Sequence, residues 1–140
     1  MVRGMSAVSQ SLQSFVLSGL HVLVVDDSEH VRDALASTLE FFGAIATTAE
    51  SAAEARSVLA RSIPDAILSD LNMPDEDGCT FIATLRASEN AARYTPAAVV
   101  TASHDAGDHA RAIASGFSFV VEKPFELEDI ARAVLLLCSN

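Results

Sequence analysis

From His21 the chain enters a short unbroken apolar run, Val22-Leu23-Val24-Val25, that stops at Asp26-Asp27. The run is β-branched and apolar at every position, not at alternate ones, which predicts a strand buried on both faces, as in a parallel sheet. Ser28 then offers an N-cap, and Val31, Ala34, Leu35, Thr38, Leu39 and Phe42 recur at helical spacing as one apolar face, with Gly43 as the stop. The predicted unit is strand, acidic loop, helix.

That unit recurs along the chain. Ile45 to Thr48 predicts a second strand, and the capping box Ser51-Ala-Ala-Glu54 opens a helix running to about Arg61. Ala66 to Ser69 predicts a third strand ending at Asp70, followed by a helix from about Cys79 to Ala87. The strand Ala97 to Val100 ends at Thr101, and an Ala-rich helix from about Asp105 to Ser115 is closed by Gly116. Phe117 to Val121 and Glu126 to Leu137 predict the fifth strand and the last helix. Such alternation predicts an α/β fold, a doubly wound five-stranded parallel sheet with helices on both faces, because each parallel crossover is right-handed. No repeat of fixed period points to a solenoid. Residues 1–18, rich in Ser and Gln without periodicity, predict an N-terminal extension or linker outside the core, leaving 19–140 as the domain.

Composition narrows the function. The 140 residues are 50% hydrophobic and 20% charged, which suits one globular domain. With 19 Asp+Glu against 9 Lys+Arg the formal net charge is -10, so a polyphosphate is repelled and direct nucleic-acid binding is disfavoured. No apolar run approaches the roughly 18 residues of a membrane span, and Ser9, Gln10, Ser11, Gln13 and Ser14 interrupt any signal-peptide core. Cys79 and Cys138 lack CxxC or Cys/His spacing and suit a reduced chain. A cytoplasmic protein with no membrane contact is the expectation.

In doubly wound sheets, ligands bind beyond the C-terminal ends of the strands, where the strand order reverses. That rule selects Asp26, Asp27, Asp70, Thr101, and Lys123 with Pro124. Taken singly, each has an ordinary explanation as a helix cap, a turn residue or a solvated cation. Their conjunction on one sheet edge points to a site. Three carboxylates on one rim repel, and they stay ionised together only if a cation compensates them. Hard oxygen ligands favour Mg²⁺, and the loop lacks the spacing of a calcium-binding EF-hand. The run Asp75-Glu76-Asp77 predicts a solvated acidic turn ended by Gly78. His21, His30, His104 and His109 share no ligand spacing, which leaves them surface or packing roles.

The segments Val22-Leu-Val-Val-Asp-Asp-Ser, Leu68-Ser-Asp-Leu-Asn-Met-Pro-Asp-Glu-Asp-Gly, Val99-Val-Thr-Ala and Glu122-Lys-Pro-Phe resemble the sequence blocks of two-component response-regulator receiver domains. The resemblance covers about Leu20 to Cys138, with the blocks in family order and spacing. It implies a flavodoxin-like strand order 2-1-3-4-5, with Asp70 as the phosphoacceptor. It further implies Mg²⁺ held by Asp26, Asp27, Asp70 and the backbone carbonyl of Asn72, with Thr101 as the switch hydroxyl and Lys123 as the phosphate-pairing cation. Gly19-Leu-His-Val-Leu-Val-Val-Asp-Asp and Ala114-Ser-Gly-Phe are most similar to receivers of hybrid histidine kinases or to stand-alone receivers. The implied partner is a histidine kinase or a histidine phosphotransfer protein. The implied protein is a monomer or weak dimer that signals by protein contacts and catalyses only its own phosphorylation and dephosphorylation.

Two other classes share parts of this pattern. A metal-dependent aspartyl-phosphate phosphatase places its nucleophile in an Asp-x-Asp loop after the first strand, whereas here Asp26 and Asp27 are adjacent. A flavodoxin-like flavin module needs a phosphate-cradling first loop, and this one is acidic. One position departs from the receiver pattern. Three residues before the lysine the family carries Tyr, Phe or His, and this chain has Val120, with Phe119 one residue earlier and so predicted on the opposite sheet face.

Overall fold

The computed structural model describes residues 15–139. Five parallel strands, β1 (His21–Val25), β2 (Ile45–Ala49), β3 (Ala66–Ser69), β4 (Ala97–Thr101) and β5 (Val120–Glu122), form one sheet in the order β2-β1-β3-β4-β5. Among the described residues, five helices alternate with them: α1 (Glu29–Phe41), α2 (Ala52–Leu59), α3 (Gly78–Ala87), α4 (Ala106–Ser115) and α5 (Leu127–Cys138). This is the expected doubly wound, flavodoxin-like order.

Strand alternation sorts the core into two layers. Leu23, Val25, Ile67 and Val99 face one way, into a cluster with Ala55 and Val58 of α2, Phe81 and Ile82 of α3 and Ala112 of α4. Val22, Val24, Leu68 and Val100 face the other way, against Leu35 and Leu39 of α1 and Ile130 and Val134 of α5. Each such aliphatic side chain contributes roughly 1.5–3 kcal/mol when fully buried, so the sheet is rigid where strand ends must be aligned. Register then lines those ends up: Val25 pairs with Ser69, Ser69 with Val99 and Thr101 with Glu122. The residues that follow each strand emerge along one edge.

The helix starts are capped as their sequences suggest. The Ser28 hydroxyl accepts from the Val31 amide at 3.3 Å, and Asp105 accepts from the Asp108 amide at 3.0 Å. At α2 the box is only half formed. Ser51 accepts from the Glu54 amide, but the Glu54 carboxylate takes the amide of Glu50, one residue before the cap.

Several expectations shift. Leu17 is fully buried in the α1/α5 layer and its amide donates to the Phe42 carbonyl at 2.8 Å, so the folded unit reaches back past residue 19. Leu17 stands in a Ser/Gln-rich stretch with no periodicity to announce this, and residues 1–14 of the expected extension lie outside the described residues. Ala34 is exposed, because it falls on the flank of the arc that Leu35, Thr38 and Leu39 already fill. The fifth strand begins at Val120 and not Phe117; Ser118 donates to the Ala97 carbonyl at 2.8 Å as a lead-in to the ladder.

Candidate functional site

Asp26 follows β1 directly and is 1% exposed. Its Oδ1 accepts the Ser28 amide at 2.9 Å and its Oδ2 accepts from Lys123 Nζ at 3.1 Å, while its carbonyl accepts from Arg32 Nη1 at 2.9 Å. Asp70 follows β3, held in the ladder by its amide on the Val25 carbonyl at 2.9 Å. Its Oδ1 accepts the Leu71 amide at 2.8 Å, and its Oδ2 lies 3.7 Å from Lys123 Nζ. Asp27 is exposed at the mouth. One carboxylate oxygen from each of Asp26, Asp27 and Asp70 can be chosen so that all three lie within 4.8 Å of one another.

One lysine thus serves a cluster of three carboxylates. Burial, and then the Asp26 charge, raise Asp70 above the ordinary carboxylate range; Lys123 and the amides of Leu71 and Asn72 oppose the shift without cancelling it. Among the described residues Lys123 is the cation paired with the carboxylates, Arg32 reaching only the Asp26 main chain, and the three carboxylates offer hard oxygen ligands. That donor set fits a small divalent cation of the Mg²⁺ type.

Thr101 ends β4 and is fully buried. Its Oγ1 accepts from the Ser103 amide at 3.1 Å, and its carbonyl accepts the Lys123 amide at 2.7 Å, so the β4 and β5 ends are tied together. Asp26, Asp27, Asp70 and Lys123 therefore meet through their side chains, Thr101 joins through the main chain of Lys123, and Asn72 lies two residues beyond Asp70 in the same loop. Val120 packs with the α2/α3/α4 layer and Phe119 with the α1/α5 layer, as alternation requires.

In the acidic run Asp75 is the exposed turn residue expected, with φ of 71°, but Glu76 and Asp77 are not simply solvated. Glu76 receives both terminal nitrogens of Arg56 from α2. Asp77 caps α3 through the Thr80 amide at 2.8 Å and lies 3.4 Å from Arg111 of α4. The Asp77-x-x-Thr80 spacing ahead of a helix is the local signal that could have shown the cap; the arginines come from distant segments and left none. His104 and His109 both approach Glu122, at 3.2 and 3.7 Å, and His109 Nε2 also lies 2.7 Å from the Ser103 carbonyl, a contact that spacing in sequence does not reveal.

Residues 22–135 match the family described as response regulator receiver domain. An "Uncharacterized 14.6 kDa protein in sodA1 3'region" of Leptolyngbya boryana is 37% identical over 122 residues, covering 87% of this chain and 92% of that protein. The virulence transcriptional regulatory protein PhoP of Salmonella typhimurium is 35% identical over 122 residues, 86% of this chain but only 53% of PhoP, so the chain spans about half of that relative. Among solved structures, the receiver domain of the sensor histidine kinase PA1611 from Pseudomonas aeruginosa, described with a magnesium ion coordinated in its active site cleft, has a TM-score of 0.79 at 26% identity, covering 88% of this chain and 100% of that one.

Proposed function

The chain belongs to the response regulator receiver domains of two-component signalling, and from that premise we propose that Asp70 accepts a phosphoryl group from the phosphohistidine of a histidine kinase or phosphotransfer protein. The observation that carries this reading is the group of three carboxylates within 4.8 Å of one another, with Lys123 reaching both Asp26 and Asp70. Mg²⁺ bound by Asp26, Asp27, Asp70 and the Asn72 carbonyl would supply the positive charge that lets a carboxylate receive an anionic phosphoryl group. The Asp70 oxygen attacks phosphorus in line; the new phosphorus–oxygen bond forms as the phosphorus–nitrogen bond breaks, and its electron pair stays on the donor imidazole. Lys123 pairs a second phosphoryl oxygen. The Thr101 hydroxyl, which already accepts from Ser103, keeps its own proton to donate to a third.

The product is an acyl phosphate on the protein itself, so the chain turns over no separate substrate. Among the described residues no helix is long and apolar enough to cross a membrane, and the net charge of -10 opposes direct nucleic-acid contact. We read the domain as cytoplasmic, monomeric or weakly dimeric, and signalling by protein contact. Val120 has no aromatic plane to relocate and few rotamers, so the signal leaves through the loops at the rim and the start of α1.

Intact-mass analysis with Mg²⁺ and a small phosphodonor tests the reading. One phosphoryl group should add to the protein and none to Asp70→Asn; full labelling of that variant would remove Asp70 from the role.

A further inference from the structure

Arg56 lies in the last turn of α2, an element that supplies no residue to the carboxylate cluster. Its Nη1 donates to Glu76 Oε1 at 2.7 Å and its Nη2 donates to Glu76 Oε2, a two-pronged pair. The guanidinium carbon also stands 5.7 Å over the ring of Phe81, a fully buried residue of α3. A planar fork seated on an aromatic face has little freedom, so Glu76 is fixed in position and not merely neutralised.

Glu76 sits within the loop that carries the site. At its start the Leu71 amide holds the Asp70 carboxylate at 2.8 Å, and Asn72 follows directly. At its end the Gly78 amide donates to the Leu71 carbonyl at 2.7 Å, and a Cβ on Gly78 would stand only 2.2 Å from the Asp70 carbonyl oxygen. The loop therefore closes directly onto the main chain of Asp70. Asp77, next to Glu76, is tied to Arg111 on the opposite flank.

We propose that Arg56 is a positioning residue for the phosphoacceptor site, acting through Glu76 to set the loop that presents the Asn72 carbonyl and the Asp70 carboxylate to the metal. The proposal rests on the reading of that cluster as an Mg²⁺ site. Charge and position make opposite demands here, which gives a test by sign. Removing the positive Arg56 would strengthen Mg²⁺ binding if only charge mattered, and removing the negative Glu76 would weaken it. Positioning requires both to weaken it.

The experiment is a Mg²⁺ titration followed by amide NMR on the full chain, which has no Trp to report by fluorescence, comparing wild type with Arg56→Met, Glu76→Gln and the double variant, with melting temperatures alongside. Each single variant should lose roughly tenfold in Mg²⁺ affinity, the low end for outer-shell partners of a metal ligand. The double variant should lose no more than the worse single, and melting temperatures should stay within about 4 °C of wild type. Opposite signs for the two singles, or unchanged affinity with a large drop in melting temperature, would overturn positioning and leave the site reading intact. A wild-type protein that binds no Mg²⁺ would overturn both.

Discussion

The loop after β3 is gripped from two helices, Arg56 of α2 on Glu76 and Arg111 of α4 on Asp77, and Gly78 closes it against the Asp70 carbonyl. The loop after β4 is held mostly from within and by the helix it enters, with His104 reaching Glu122 of β5 at 3.2 Å as its outside contact. Thr101 Oγ1 accepts the Ser103 amide, the Ser103 hydroxyl donates to Asp108 at 2.7 Å and accepts from the Asp105 amide at 3.2 Å, and the Ser103 carbonyl meets His109. Local hydroxyl hydrogen bonds of this kind contribute about 0.5–1.5 kcal/mol each and exchange readily with water or a new acceptor. The ion pairs from α2 and α4 are individually no stronger, so it is the steric stop at Gly78 that sets the first loop apart. The difference assigns the loops separate tasks: the first presents Asp70 in a fixed frame, and the second is free to answer a phosphoryl group. With a beryllium fluoride mimic, the largest amide shifts should therefore fall at the Asp70 rim and around Thr101 to Ser103, not along β5.

The comparison can be broken most severely at Gly78. Gly78→Ala places a carbon where the Asp70 carbonyl oxygen already is, so the loop or the strand end must move, and urea denaturation should register a loss of about 3 kcal/mol. A tolerated alanine would show the first loop to be as pliant as the second. Lys123→Met removes the cation that, among the described residues, Asp26 and Asp70 share. A loss of about 2 kcal/mol is expected without divalent ions, and most of it should return in excess Mg²⁺, measured by the same denaturation.

Asp70→Asn should act in the opposite direction. Because burial and Asp26 raise the folded-state pKa of Asp70, the ionised group lowers stability above that pKa, and the penalty fades as pH falls from the folded toward the unfolded value. The variant should be more stable than wild type near neutral pH in metal-free buffer, with the gain shrinking in acid; a constant gain would assign it to packing. Glu76 has the reverse sign. Its pKa is lowered, chiefly by the hydrogen bonds from Arg56, so its contribution is full above the ordinary glutamate value of 4.5 and is lost as pH falls through the depressed one. For this half-exposed pair the difference between wild type and Glu76→Gln should stay under about 1 kcal/mol and vanish in acid. Ser103→Ala should cost least, about 0.5 kcal/mol, since water can replace the hydroxyl. A larger loss there than at Glu76 would reverse the ranking of the two loops.

Local order is what one sequence states well. The doubly apolar strands, the caps at Ser28 and Asp105, the stop at Gly43 and the acidic strand ends are all patterns within a few residues of one another. From them follow the α/β class and, through the strand-end rule, the meeting of Asp26, Asp27, Asp70 and Lys123. Tertiary structure decided what depends on partners far along the chain. Leu17 became core because Phe42 offered it a carbonyl and the α1/α5 layer had room, and Glu76 and Asp77 became anchors because α2 and α4 each carry an arginine to the same loop. Glu122 gathers two histidines from across the β4 end. The physical reason is the same in each case: periodicity and capping are set by backbone geometry at short range, while the partner of a charge or of a lone apolar side chain is chosen only when the sheet register brings distant segments together.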